Sequence, residues 1–179
     1  EMTAPLGYFY AAQDADNFAS ATDIEPEEGE FYVWKYSQLV AELTKDEIAA
    51  MEATFLITPA GNFEEKIVLQ CRQEGEFLPE VETALDKLFS LRYGQSRSEI
   101  LTFPPAPDNE TAKSSPWLGR IPPVTDTKMI VAWNSLMISG LARAYAVFKD
   151  SEYWDLATGA ARFILENQLV NGRLYRLNY

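Results

Sequence analysis

The chain has 179 residues, 47% of them apolar and 13% aromatic, which is the length of one ordinary domain and ample material for a hydrophobic core. Asp and Glu number 27 against 15 Lys and Arg, a formal charge of -12, so the field around the molecule repels nucleic acid and anionic membranes, and neither is expected as a partner. Histidine is absent, which removes the commonest general base and zinc ligand, and the single cysteine, Cys71, forms no internal disulfide and suits a cytoplasmic setting.

In chain order, "GYFYAAQ" (Gly7 to Gln13) and "EFYVWKY" (Glu30 to Tyr36) are aromatic runs bounded by Pro, Gly or acids, and they predict a β-hairpin with the acidic stretch "DADNFASATDIEPEEG" as its connection. "SQLVAELTKDEIAAMEATF" predicts two short helices with Ser37 and Thr44 as N-caps. "TPAGNFEE" is a turn, and "KIVLQCRQ" from Lys66 is a short strand that buries Cys71 as an inert thiol. From Pro79, "PEVETALDKLFSLRYGQ" sets Val81, Leu85, Leu88 and Phe89 on one helical face, and Gly94 is its stop.

Residues 103–127 hold six prolines and predict a long connector without regular structure. Asn109 in "NET" matches a glycosylation sequon that a cytoplasmic protein does not use. Two helices follow, Lys128 to about Lys149 and Ser151 to about Leu169. The first is apolar nearly all round and predicts burial on most sides; the second carries a Tyr153, Ala157, Ala160, Ile164 and Gln168 stripe, so the two read as an inner and outer pair. The apolar run Met129 to Ala142 is shorter than the roughly 20 residues of a bilayer span. Repeated helical hairpins with long decorated connections point to an α/α toroid. The abrupt opening "EMTAPLGYFY" and the alternating "GRLYRLNY", a strand with no hairpin partner in view, lead us to expect an excerpt from a longer protein.

"GYFYAAQDAD…EEGEFYVW", "GNFE" and "DTKMIVAWNSLMISGLARAY" resemble the YyaL-type thioredoxin-domain-containing proteins, the spermatogenesis-associated protein 20 family. The resemblance implies a mainly α fold that is part of an (α/α)6 barrel, a toroid like that of six-hairpin glycosidases and N-acylglucosamine 2-epimerases, with short β-hairpins in the connections. On that view residues 1–179 are a single partial domain, the connector 103–127 lies within it, and a thioredoxin-like domain is carried elsewhere in the full-length protein. The chain departs from the family pattern in inserting "NFASATDIEP" after Asp16, and in having "DTK" and "WNSLM" where the family tends to have "DDK" and "WNGLM".

The resemblance implies a carbohydrate ligand bound or processed by carboxylate acid–base chemistry; if the chain is catalytic, the class is a glycosidase or sugar epimerase. Asp14 and Asp16 point to the same side of an extended chain and are candidates to divide acid and base roles. Asp126 joins them as the third catalytic candidate. Glu28, in the family's motif, and Arg120, Lys128, Trp133 and Asn134 are the substrate-binding candidates, with Trp133 stacking on a sugar ring and the polar groups bonding its hydroxyls. Arg120 could clamp a ligand carboxylate, and each candidate has a plain structural alternative: the aspartates cap turns, Asp126 caps the helix, Trp133 is core, Asn134 ties the connector down, and Arg120 holds the connector by pairing with one of the aspartates. The alternative function is a non-catalytic recognition module serving the attached thioredoxin-like domain. No cofactor is expected, and no metal, because the acidic spacing lacks the glycine and terminal glutamate of an EF-hand. Self-association through exposed apolar surface is a further expectation.

Overall fold

The computed structural model describes residues 1–100 and 103–179. It is mainly helical with short antiparallel strand pairs. In chain order the elements are β1 (Ala12–Gln13), β2 (Asp16–Asn17), β3 (Glu27–Glu28), α1 (Tyr36–Glu42), α2 (Lys45–Thr54), α3 (Pro79–Tyr93), α4 (Asn109–Ser114), β4 (Thr125–Asp126), β5 (Met129–Ile130), α5 (Val131–Phe148), α6 (Ser151–Asn167), β6 (Leu169–Val170), β7 (Arg173–Leu174) and β8 (Leu177–Asn178). They form two compact units: the first combines Glu1–Asp14, 103–108 and Val124–Tyr179, the second 15–100 and Asn109–Pro123.

The second unit is built on α1, α2 and α3. Thr44 caps α2 as its spacing predicted: its hydroxyl accepts from the Glu47 N–H at 3.3 Å, and the Glu47 carboxylate accepts from the Thr44 N–H at 2.8 Å. Lys87 of α3 donates to the same carboxylate at 2.8 Å, which locks α2 to α3. Pro79 opens α3, and Gly94 closes it in the left-handed region at φ 73°. The core between these helices holds Trp34, Leu39, Met51, Ile67, Val81 and Leu88. Leu39 and Met51 are wholly buried, each stabilising the fold by about 1.5–3 kcal/mol through area removed from water.

In the first unit α5 and α6 form an antiparallel hairpin. Lys149 turns the chain at φ 60°, and the Asp150 carboxylate caps α6 by accepting from the Glu152 N–H at 3.0 Å. Met129, Val131, Phe163 and Ile164 make its core, with Tyr8 and Ile138 packed against them. Gly7, at φ +91°, lies against the Gly159 backbone, where an added Cβ would stand 3.4 Å from the Gly159 carbonyl carbon.

Several expectations are corrected. Residues 7–13 and 30–36 do not form one hairpin: β1 pairs with β4, β2 pairs with β3, and Trp34 bridges to Ile67. The cause is Gly29 at φ +67°, whose carbonyl accepts from the Tyr32 and Val33 N–H groups, so the chain turns there and buries Phe31 and Trp34. Helix α1 starts at Tyr36 with Lys35 as its cap, because the Gln38 side chain accepts from the Lys35 N–H at 2.8 Å; Ser37 lies inside the helix. The connector contains α4, whose six residues are a proline-free stretch between Pro107 and Pro116. Cys71 is exposed.

Helix α5 begins three residues later than expected, since Met129 and Ile130 pair with Asn178 and Leu177, and Arg173–Leu174 pair with Leu169–Val170 across an Asn171–Gly172 turn. The terminal alternating segment therefore has its partners. Only Val131 and Asn134 of α5 are buried, while Trp133, Leu136, Met137, Val147 and Phe148 are exposed, because one antiparallel neighbour covers only one stripe of a helix.

Candidate functional site

Of the predicted site residues, Asp14, Asp126, Lys128, Trp133 and Asn134 fall in the first unit, and Asp16, Glu28 and Arg120 in the second. Asp14 follows β1, and its N–H donates to the Val124 carbonyl at 2.8 Å. Ala15 is a bend between β1 and β2, so the alternation that set Asp14 and Asp16 on one side of a continuous strand does not operate.

In the first unit Asp126 is occupied locally. Its carboxylate accepts from the Lys128 N–H at 3.1 Å and pairs with Lys128 Nζ at 2.9 Å. These contacts, the Lys128 side-chain bond first, hold the Asp126 carboxyl below the usual range, and the same pair raises the Lys128 ammonium. Asn134 is 2% exposed and grips one residue of the preceding segment: its Oδ1 accepts from the Phe9 N–H at 2.8 Å, and its Nδ2 donates to the Phe9 carbonyl at 2.9 Å. It ties residue 9 to α5, as the structural alternative required. Trp133, the residue before it in the helix, is half exposed and is not core.

In the second unit the inserted stretch becomes the loop of a β2–β3 hairpin. Phe18 is buried, and Lys113 of α4 lies 4.9 Å from the Phe18 ring centre and donates to the Asp23 carbonyl. The hairpin register sets Asp16 directly opposite Glu28, and Asn17 opposite Glu27. Residues so opposed share a face with Cβ atoms about 4.5–5.5 Å apart, and two carboxylates there repel. Both are exposed, and neither forms an ion pair among the described residues.

Arg120 is positioned by the close docking of "GR" on the end of α3: its N–H donates to the Arg92 carbonyl at 2.9 Å, and Gly119 touches the backbone of Arg92 and Gly94. Its Nη1 donates to the Glu30, Phe31 and Val33 carbonyls at 3.2, 3.0 and 2.7 Å, and the guanidinium lies 3.9 Å from the Trp34 ring centre. Burial first, and the neighbouring charge of Arg92 second, push it down to about 10. Arg120 thus holds the connector through carbonyls, with no aspartate involved.

Sequence reasoning overlooked Lys66. Its side chain is 8% exposed, and it pairs with Glu27 and, at 2.7 Å, with Glu30. The two carboxylates raise its ammonium despite burial, the largest opposing effect. Lys66 and Glu27 line a groove of about 1100 Å³ with Lys35, Tyr36, Glu64 and Glu65. A lysine opening an apolar run gives no sequence signal for this, since both partners lie more than thirty residues earlier. Among the described residues no group of three or more Cys, Asp or Glu is placed to hold a metal ion, and no helix is long and apolar enough to cross a membrane.

No family model matches the chain. The chain is similar over nearly its whole length to longer proteins, of which it spans about a quarter. It is 28% identical over 184 residues to spermatogenesis-associated protein 20 of Homo sapiens, covering 97% of this chain and 23% of that protein. It is 27% identical over 187 residues to the Rattus norvegicus protein of the same name, and 27% identical over 178 residues to an uncharacterised protein of Caenorhabditis elegans, each again covering 97% of this chain.

Proposed function

We propose that the chain belongs to an (α/α)6-barrel domain of a cytoplasmic protein that also carries a thioredoxin-like domain, and that this region binds a carbohydrate through the Asp16–Glu28 carboxylate pair. The observation that carries the reading is the β2–β3 register, which opposes two exposed carboxylates on one face. An arrangement that costs roughly 0.2–1 kcal/mol in repulsion is kept where the charges serve a ligand. Two carboxylates about 5–9.5 Å apart are also the equipment of glycoside chemistry, one as acid and one as base or nucleophile. Asp126, Lys128, Asn134 and Arg120 then support the fold, since their polar atoms are engaged with neighbouring backbone or with each other.

The test is calorimetric titration of the full-length protein with a panel of mono- and oligosaccharides, repeated with Asp16→Asn and Glu28→Gln. Saturable binding lost in both variants supports the reading; binding unchanged in both refutes it.

A second reading, the recognition module, is favoured by the exposed apolar face of α5 with Trp133, Leu136, Met137, Val147 and Phe148. It predicts no turnover of any sugar, and loss of partner binding on Trp133→Ala.

A further inference from the structure

We propose that a cleft beside Trp34 in the second unit binds a small-molecule oxyanion, a carboxylate or phosphate group. The cleft has a volume of about 340 Å³ and is lined by Trp34, Ser37, Gln38, Glu42, Leu91 and Arg120 among others. Its polar groups are unbalanced. Trp34 is 3% exposed, and its indole N–H is buried without an acceptor among the described residues. An orphaned donor of that kind costs about 1–3 kcal/mol, which an acceptor atom of a ligand would recover. Gln38 has its Oε1 taken by the Lys35 N–H, which leaves its amide N–H groups as donors. Arg120 engages its three carbonyls through Nη1, and among the described residues the Nε and Nη2 edge of the fork, the edge that grips carboxylate or phosphate in two parallel bonds, is unengaged.

The charge balance points the same way. Arg92 lies 5.5 Å from the Trp34 ring centre and Arg120 3.9 Å, and neither forms an ion pair among the described residues. Among the described residues both side chains hydrogen-bond to backbone carbonyls of residues 30–33 alone. The Glu30 carboxylate acts on Arg120 from nearby but also pairs with Lys66 at 2.7 Å, so one acid is shared between two cations. Two cationic groups packed on one indole, beside a carboxylate that a lysine already holds, in a chain with a net charge of -12, are a site short of a counter-ion. Glu42 is the one acid lining the cleft, and with the negative field of the whole chain it selects a small anion over a polyanion. The inference does not rest on the carbohydrate reading, because neither Asp16 nor Glu28 lines this cleft.

The experiment follows the Trp34 indole N–H by NMR in the ¹⁵N-labelled full chain, assigned with Trp34→Phe, during titration with inorganic phosphate, sodium acetate and sodium chloride at matched ionic strength. The expected result is a saturable shift with phosphate, acetate or both and none with chloride, the responding salt naming the group. Arg120→Gln is expected to weaken binding about tenfold or more through loss of the charge-assisted bonds. Glu42→Gln, an exposed change that leaves the fold intact, is expected to tighten it about twofold. A shift that is the same in all three salts, or a phosphate and acetate response unaltered by Glu42→Gln and Arg120→Gln alike, overturns the proposal.

Discussion

Replacing Asn134 by alanine removes the side chain that holds both backbone groups of Phe9. The N–H and carbonyl of Phe9, which bond Asn134 at 2.8 and 2.9 Å, are left in a buried environment. The third bond, Nδ2 to the Ile130 carbonyl at 3.2 Å, is the longest and contributes least. Each orphaned backbone group costs about 1–3 kcal/mol, so the variant should lose about 3 kcal/mol. With urea slopes of about 1–3 kcal/mol per molar, the unfolding midpoint of the first unit should fall by about 1–3 M. The near-ultraviolet signal of the Tyr8–Phe163 ring contact, centres 4.5 Å apart, should be lost early in the transition. A residue kept for ligand contact would leave the stability of the free protein nearly unchanged. A loss below about 1 kcal/mol would therefore refute the tie between residue 9 and α5.

Gly119→Ala places a Cβ against the Arg92 carbonyl and the Gly94 nitrogen, backbone atoms that cannot move aside, and should cost about 2–3 kcal/mol in chemical denaturation. Glu47 is held below the usual carboxylate range by Lys87 first and by its cap bonds to Thr44, so its contribution is fully present above the unfolded value of about 4.3 and is lost as pH falls through the lower folded value. The urea midpoint should consequently fall between about pH 5 and pH 3 more steeply in the wild type than in Glu47→Gln. Asp16→Asn should raise the thermal midpoint slightly, since it relieves a repulsion of roughly 0.2–1 kcal/mol; a lowered midpoint would mean that Asp16 makes a favourable contact within the hairpin.

Local chemistry was readable where it is self-contained. Pro79 and Gly94 bound α3, Thr44 and Glu47 cap α2, and the α6 stripe faces inward as its spacing requires. Pairings between distant segments were not. Two-residue strands carry too little pattern to choose a partner, so β1 joins β4 more than a hundred residues away, and the aromatic run after Gly29 turns inward. Composition showed that α5 is apolar but could not count the neighbours that cover it. In the candidate site, Asp16 and Glu28 were both singled out, yet their opposition depends on how the insertion closes into a hairpin loop. The stack of Arg120 and Arg92 on Trp34 joins three segments, and only contacts in space reveal it.

Calorimetric titration of the full-length protein against the saccharide panel, with Asp16→Asn and Glu28→Gln beside the wild type, is the decisive test of a carbohydrate site at the β2–β3 hairpin. If Asp16 and Glu28 hold the ligand, the wild type binds at least one sugar saturably, and either substitution abolishes binding while the thermal midpoint is unchanged or slightly raised. Absence of binding by the wild type, or binding that survives both substitutions, would contradict that site and leave the opposed carboxylates without a ligand.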